Sequence, residues 1–147
     1  GAGMVVSEMI ASDQLVHGAA EAHLRAEGSG IDPHFVQLAG CQPHWMAEAA
    51  RLSEASGAAV IDINMGCPAK KVIGGEAGSA LMRDLDLAIR LIDAVVSAVS
   101  IPVTVKMRLG WDDQNRNAPE LLGGWAIPAA TATDEVDDAF PSMTTTE

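Results

Sequence analysis

Only two cysteines, Cys41 and Cys67, occur in the 147 residues, and they form no CxxC pair. That excludes a cysteine-based zinc site and a disulfide framework, so the expected setting is a reducing cytoplasm and no metal is expected. Basic residues are also scarce, nine against twenty acidic ones, for a net charge of −11. A chain so acidic does not grip a polyanion through bulk electrostatics. No apolar run approaches the roughly 18–20 residues needed to cross a bilayer, and no basic-then-apolar leader opens the chain, so neither membrane nor secretion signal is expected. The first residue is Gly, and Val5-Val6 follows almost at once, which reads as a piece of a longer frame or a processed product.

What is present is 48% apolar residues, enough for one domain with a real core. Met4 to Ile10 reads as a short, largely buried strand. Ser12 or Asp13 then caps a helix whose apolar positions include Leu15, Val16, Ala19, Ala20 and Leu24. Phe35 to Ala39 is a second strand, and Pro43 opens a helix that Gly57 stops. Ala59 to Asn64 is a third strand. Ala77 to Arg83 is a short helix, and Asp84 caps a clearer one: Leu85, Ala88, Ile89, Ile92, Val95, Val96 and Val99 share a face opposite Asp86, Arg90, Asp93 and Ser97. Val103 to Arg108 is a fourth strand. Strands of buried type alternating with helices require a parallel sheet, so the fold class is α/β, and four strands make either a small open sheet or half of an eight-stranded barrel. From Leu121 the pattern changes, and 121–147 is expected to be an irregular, disordered tail after a domain spanning 1–120.

The stretch Val60 to Ser79 organises the rest. Its β-branched strand ends at Gly66-Cys67-Pro68, which sets Cys67 at a strand's carboxyl end, where parallel α/β folds build sites. Cys67 is either a small buried hydrophobe or a thiol acting as nucleophile or acid; with an ordinary thiol pKa near 8.5 it holds a proton at neutral pH and can donate it. Lys106 sits inside the apolar run Val-Thr-Val-Lys-Met-Arg, where an unpaired ammonium is expensive and calls for a Schiff base, an ion pair or an anionic cofactor. Gln37 and Asn64 have the same ambiguity between structural and recognition roles. Cys41 reads as filler and His17, His23, His34 and His44 as surface or capping residues. The Gly74-Gly75 segment is not a phosphate-binding pattern and reads as a flexible loop. Lys70 and Lys71 on it either meet a phosphate backbone or are solvated.

The run Ile61-Asp-Ile-Asn-Met-Gly-Cys-Pro68, then Val72 and Gly78-Ser79, closely resembles the signature of the tRNA-dihydrouridine synthase family in its bacterial DusB-like branch. The resemblance extends to Val6-Ser-Glu-Met9, Val36-Gln-Leu-Ala-Gly40 and Val105-Lys-Met-Arg-Leu-Gly-Trp111. It implies a TIM-type (β/α)8 barrel that holds FMN, uses NADPH as reductant and reduces the C5–C6 bond of uridines in tRNA. It further implies Cys67 as proton donor to C5, Gln37, Lys106 and Asn64 as flavin-contacting residues, and Arg108, with Lys70 and Lys71, as weaker substrate contacts. A base in a tRNA loop must be flipped out to reach such a pocket.

Aligned on those motifs, the chain is expected to hold strands two to five of the barrel, a partial barrel. Beyond Asn117-Ala-Pro-Glu-Leu121 the segment Leu122-Gly-Gly-Trp-Ala-Ile matches nothing the family implies. The chain alone is therefore expected to be inactive, and its open sheet edges make self-association an expectation. Two alternatives stand beside this one: a flavin barrel acting on free pyrimidines, and a non-catalytic truncated product.

Overall fold

In a computed structural model, residues 5–28 and 30–124 are described. The chain order is β1 (Val5–Val6), β2 (Ile10–Ala11), α1 (Ser12–Val16), α2 (Ala20–Ala26), β3 (His34–Ala39), α3 (Pro43–Ala55), β4 (Val60–Met65), α4 (Lys70–Ile73), a 3-10 turn (Gly78–Arg83), α5 (Leu85–Val96), β5 (Val103–Met107) and α6 (Ala118–Gly124). Every strand pairing is parallel, in the order β1-β3-β4-β5, with β2 also on β3, and the sheet curls into a half-barrel. This is the α/β partial barrel expected from the alternation of strands and helices.

β1 and β2 are two pieces of one edge strand. Val5 and Val6, 50% and 40% exposed, correct the reading of a largely buried one, because β1 stands at the end of the sheet with a partner on one side among the described residues. Val5 pairs with His34 and Ile10 with Leu38, so the edge carries one residue more than β3 over that stretch, a bulge. Ser7 fills the gap: its backbone N–H donates to the Phe35 carbonyl at 2.9 Å, and its hydroxyl accepts from the Gln37 N–H at 3.0 Å. A side chain thus replaces the missing ladder acceptor opposite Gln37.

Side chains alternate between the two sheet faces. Val36, Leu38, Ile61, Ile63 and Met65 are fully buried in one cluster with Met46, Ala49 and Ala50 of α3 and Leu91, Ile92 and Val95 of α5. Each such large side chain contributes roughly 1.5–3 kcal/mol relative to exposure. α5 behaves as its sequence reads: Asp84 Oδ1 accepts from the Leu87 N–H at 2.9 Å, while Asp86, Arg90, Asp93 and Ser97 face outward. Pro43 begins α3 and Gly57 follows it with φ +95°.

The first helix departs from expectation. It is two helices, because Gly18 takes φ +78° between them, and Leu24 is 71% exposed rather than inward. The period of apolar residues carries across Gly18, but the backbone does not. His34 is another correction to a surface reading. It is buried, and its Nε2 lies 2.9 Å from the Ala26 carbonyl, its ring filling the space that a Cβ on Gly28 would take. The segment after Pro68 is not a plain loop either, since Lys70–Ile73 forms a turn of helix. α6 continues to Gly124 with Leu121 buried, past the change of character read at that residue; positions 125–147 of the expected tail lie outside the described residues.

Candidate active site

Parallel register lines up the polar side chains. Gln37 pairs with Asp62 and Asp62 with Thr104, while one step along Asn64 pairs with Lys106. All five therefore share the face opposite the apolar core.

Four of them are joined. Thr104 Oγ1 donates to Asp62 Oδ1 at 2.7 Å, and Gln37 Nε2 donates to Asp62 Oδ2 at 2.6 Å. Asn64 Nδ2 donates to Gln37 Oε1 at 2.9 Å. Asn64 Oδ1 then accepts from two backbone donors, Gly66 N–H at 3.2 Å and Cys67 N–H at 3.0 Å. This last pair is an Asx turn, in which a short amide folds the chain back on itself just after the strand. The network runs unbroken from β5 through β4 and β3 to the loop bearing Cys67.

Cys67 is held from its other side as well. Its carbonyl accepts from the Ser79 N–H at 3.0 Å, and Ser79 is buried. Gly78 lies so close that a Cβ there would stand 2.6 Å from that carbonyl and 3.3 Å from the Cys67 Cβ. Gly78 also has φ +60°, which glycine adopts without penalty. The Gly-Ser pair that follows the cysteine in the motif thus forms the back wall of the cysteine's loop. Cys67 itself is half-exposed, so a fixed backbone presents a reachable thiol.

Around it stand the other expected residues. Lys106 is on the same face but exposed, a correction to its reading as a buried lysine: no strand flanks β5 on its far side among the described residues. Arg108 follows β5 and is exposed, its Cγ 3.6 Å from the position a Gly66 Cβ would take, which sets it beside the Cys67 loop. Lys70 and Lys71 are exposed on α4. Lys71 also borders a cavity of about 460 Å³ with Cys41, Gln42, Trp45 and Asp13, which Cys67 does not line. Burial pushes the Cys41 thiol upward in pKa, reinforced by the charges of Glu76 and Asp13.

Two members of the network escape a reading of the sequence, Asp62 and Thr104. Their signal is the recurrence of polar residues at period two in β4 (Asp62, Asn64) and β5 (Thr104, Lys106), which lines up with Gln37 of β3 only once the strands are set in register. No group of three or more His, Cys, Asp or Glu able to hold a metal occurs among the described residues, and no described helix is long and apolar enough to cross a membrane. The amide N–H that the network leaves over on Gln37 and on Asn64, with the exposed Lys106 ammonium, can donate to the carbonyl groups of a heterocycle, so these residues fit a flavin or a uracil.

Comparison with known proteins points the same way. The family model "Dihydrouridine synthase (Dus)" matches residues 1–123. A "Probable tRNA-dihydrouridine synthase" of Rhizobium leguminosarum bv. phaseoli is 62% identical over 121 residues, covering 82% of this chain and 38% of the relative. A protein of the same name from Rickettsia prowazekii is 57% identical over 123 residues, with the same coverage. The "tRNA-dihydrouridine synthase B" of Xanthomonas campestris pv. campestris is 53% identical over 122 residues, with 37% of its length covered. The chain thus spans a little over a third of the length of these relatives. Over residues 1–123, which include the whole Cys67 loop and its supports, the chain belongs to the dihydrouridine synthase family.

Proposed function

We propose that this chain carries the proton-donating part of a site that reduces uridine in tRNA, with FMN as cofactor and NADPH as the source of electrons. The observation that supports it best is the double anchoring of Cys67, by Asn64 Oδ1 on its N–H and by Ser79 on its carbonyl, in a chain of this family. Reduced FMN, when bound, would supply the hydride that adds to C6 of the uracil. The Sγ–H of Cys67 gives its proton to C5, so that the C5=C6 bond becomes single and the thiolate is later reprotonated from solvent. Gln37 and Asn64 would orient the ring through the second N–H of each amide, which the network leaves over, and the ammonium of Lys106 would balance negative charge on the cofactor. Arg108, Lys70 and Lys71, all exposed, would contact the nucleic-acid backbone.

Because the chain spans about 38% of the Rhizobium relative, the test is a chimera in which residues 5–123 replace the matching stretch of that protein. The chimera is expected to form dihydrouridine in tRNA with NADPH and FMN. Cys67→Ala is expected to lower that rate by about a hundredfold or more, the contribution of a positioned general acid, while NADPH still reduces the bound flavin. Equal turnover by Cys67→Ala would remove the proton-donor role, and preference for free uracil over tRNA would favour the free-pyrimidine reading. The 147-residue chain by itself is expected to show no turnover.

A further inference from the structure

Asp62 is buried, with 7% of its surface exposed, and none of the ion pairs among the described residues includes it. A carboxylate in such a place is costly unless fully hydrogen-bonded, and an apolar side chain would stabilise a sheet better. What Asp62 offers that an apolar residue does not is acceptance. Its two oxygens take one donor each, Thr104 Oγ1 and Gln37 Nε2.

That acceptance has a consequence at the other end of the network. With Nε2 committed to Asp62, the Gln37 amide must turn Oε1 toward Asn64, where it accepts from Nδ2. Asn64, with its Nδ2 so engaged, must turn Oδ1 toward the loop, where Gly66 and Cys67 present two N–H donors. Every link has one donor and one acceptor, and reversing any single amide would set donor against donor or acceptor against acceptor. We infer that Asp62 is a positioning residue for Cys67: it fixes the sense of the Gln37 and Asn64 amides and thereby holds the cysteine's loop, although it touches neither the loop nor the thiol.

The inference builds on the reading of Cys67 as proton donor only for its bearing on turnover; its test needs no flavin and no tRNA. Amide hydrogen exchange of the 147-residue chain, followed by NMR, reads the loop directly. Asp62→Leu is expected to speed exchange at Gly66 and Cys67 by about tenfold or more, with the ladder amides of Ile61 and Ile63 changed by less than about threefold. Asp62→Asn is expected to restore near-normal exchange, since an Asn Oδ1 can accept from Gln37 while its Nδ2 donates to Thr104. Gln37→Met, which breaks the middle of the chain of bonds at a half-buried position, is expected to reproduce the Asp62→Leu pattern and serves if Asp62→Leu does not fold. Unchanged exchange at Gly66 and Cys67 in Gln37→Met or Asp62→Leu overturns the inference, as does an equal rise along all of β4. A chimera that binds no flavin while these exchange patterns hold would remove the proposed reaction and leave the positioning role standing.

Discussion

The backbone N–H of Ser79 donates to the carbonyl of Cys67 at 3.0 Å, and the residue just before Ser79 can only be glycine. At Gly78 two constraints coincide: a left-handed φ of +60° and a Cys67 carbonyl 2.6 Å from where a Cβ would stand. Gly78→Ala is therefore expected to lose about 1–2 kcal/mol from backbone conformation alone, and more from the displaced loop. Urea unfolding measures it. Gly75→Ala is the comparison, because its Cβ would meet the nearest backbone oxygen at an ordinary 3.5 Å, and a loss below about 0.5 kcal/mol is expected there. Equal midpoints for the two variants would refute the close-approach argument.

Asp84 caps α5 through one bond, from the Leu87 N–H to its Oδ1 at 2.9 Å. Asp84→Ala leaves that donor without its side-chain acceptor and is expected to cost about 1 kcal/mol. Asp84→Asn retains the acceptor and is expected to stay within a few tenths of wild type. Thermal unfolding of the two variants side by side checks the pair, and a matched loss in both would mean that charge rather than the hydrogen bond carries the cap.

The parts legible in the sequence are those decided by neighbours within a turn or two. Asp84, Pro43 and the β-branched run into Gly66 need only their own surroundings, and each stands where its local pattern puts it. Lys106 misleads because a strand's apolar neighbours do not say whether another strand covers it. On β5 the exposure alternates, with Thr104 and Lys106 open and Val103, Val105 and Met107 half-buried. The Gln37–Asp62–Thr104 row joins residues far apart in the chain through strand register, which no single strand encodes. Cys67 and Asn64 are recognisable from the motif. That Asn64 spends its carbonyl on the Cys67 loop rather than leaving it for a ligand is visible only in the folded chain.

Glu54, near the end of α3, ties that helix to the segment leading into β5. Its Oε1 accepts from the Ser100 hydroxyl at 2.5 Å and from the Ser100 N–H at 2.9 Å. The hydroxyl first, then the backbone donors, hold the Glu54 pKa below the ordinary carboxylate value. A lowered folded-state pKa gives a stabilisation that is present above the ordinary value and lost as pH falls through the lowered one. Carboxyl NMR titration of Ser100→Ala is expected to move Glu54 upward but not fully back, because the backbone donor remains. No movement would mean that the hydroxyl is not the main cause.

Cys41 is expected to lag behind an ordinary thiol in a pH series with iodoacetamide. Cys41 borders the cavity beside Trp45 and Lys71: burial first, then the charge of Glu76 and more weakly that of Asp13, raises its pKa, against a backbone hydrogen bond that lowers it. Since the thiolate is the reacting form, Cys41 should alkylate slowly near neutral pH, with a midpoint above that of an ordinary thiol. Glu76→Gln removes a like charge and should bring the midpoint down. It should not bring it fully back, because burial is the larger cause and the substitution leaves the cavity wall in place. Mass spectrometry of each alkylated peptide across pH separates Cys41 from Cys67. A Cys41 midpoint at or below the ordinary thiol value would overturn burial as the governing cause, and an upward move in Glu76→Gln would overturn the role of the Glu76 charge.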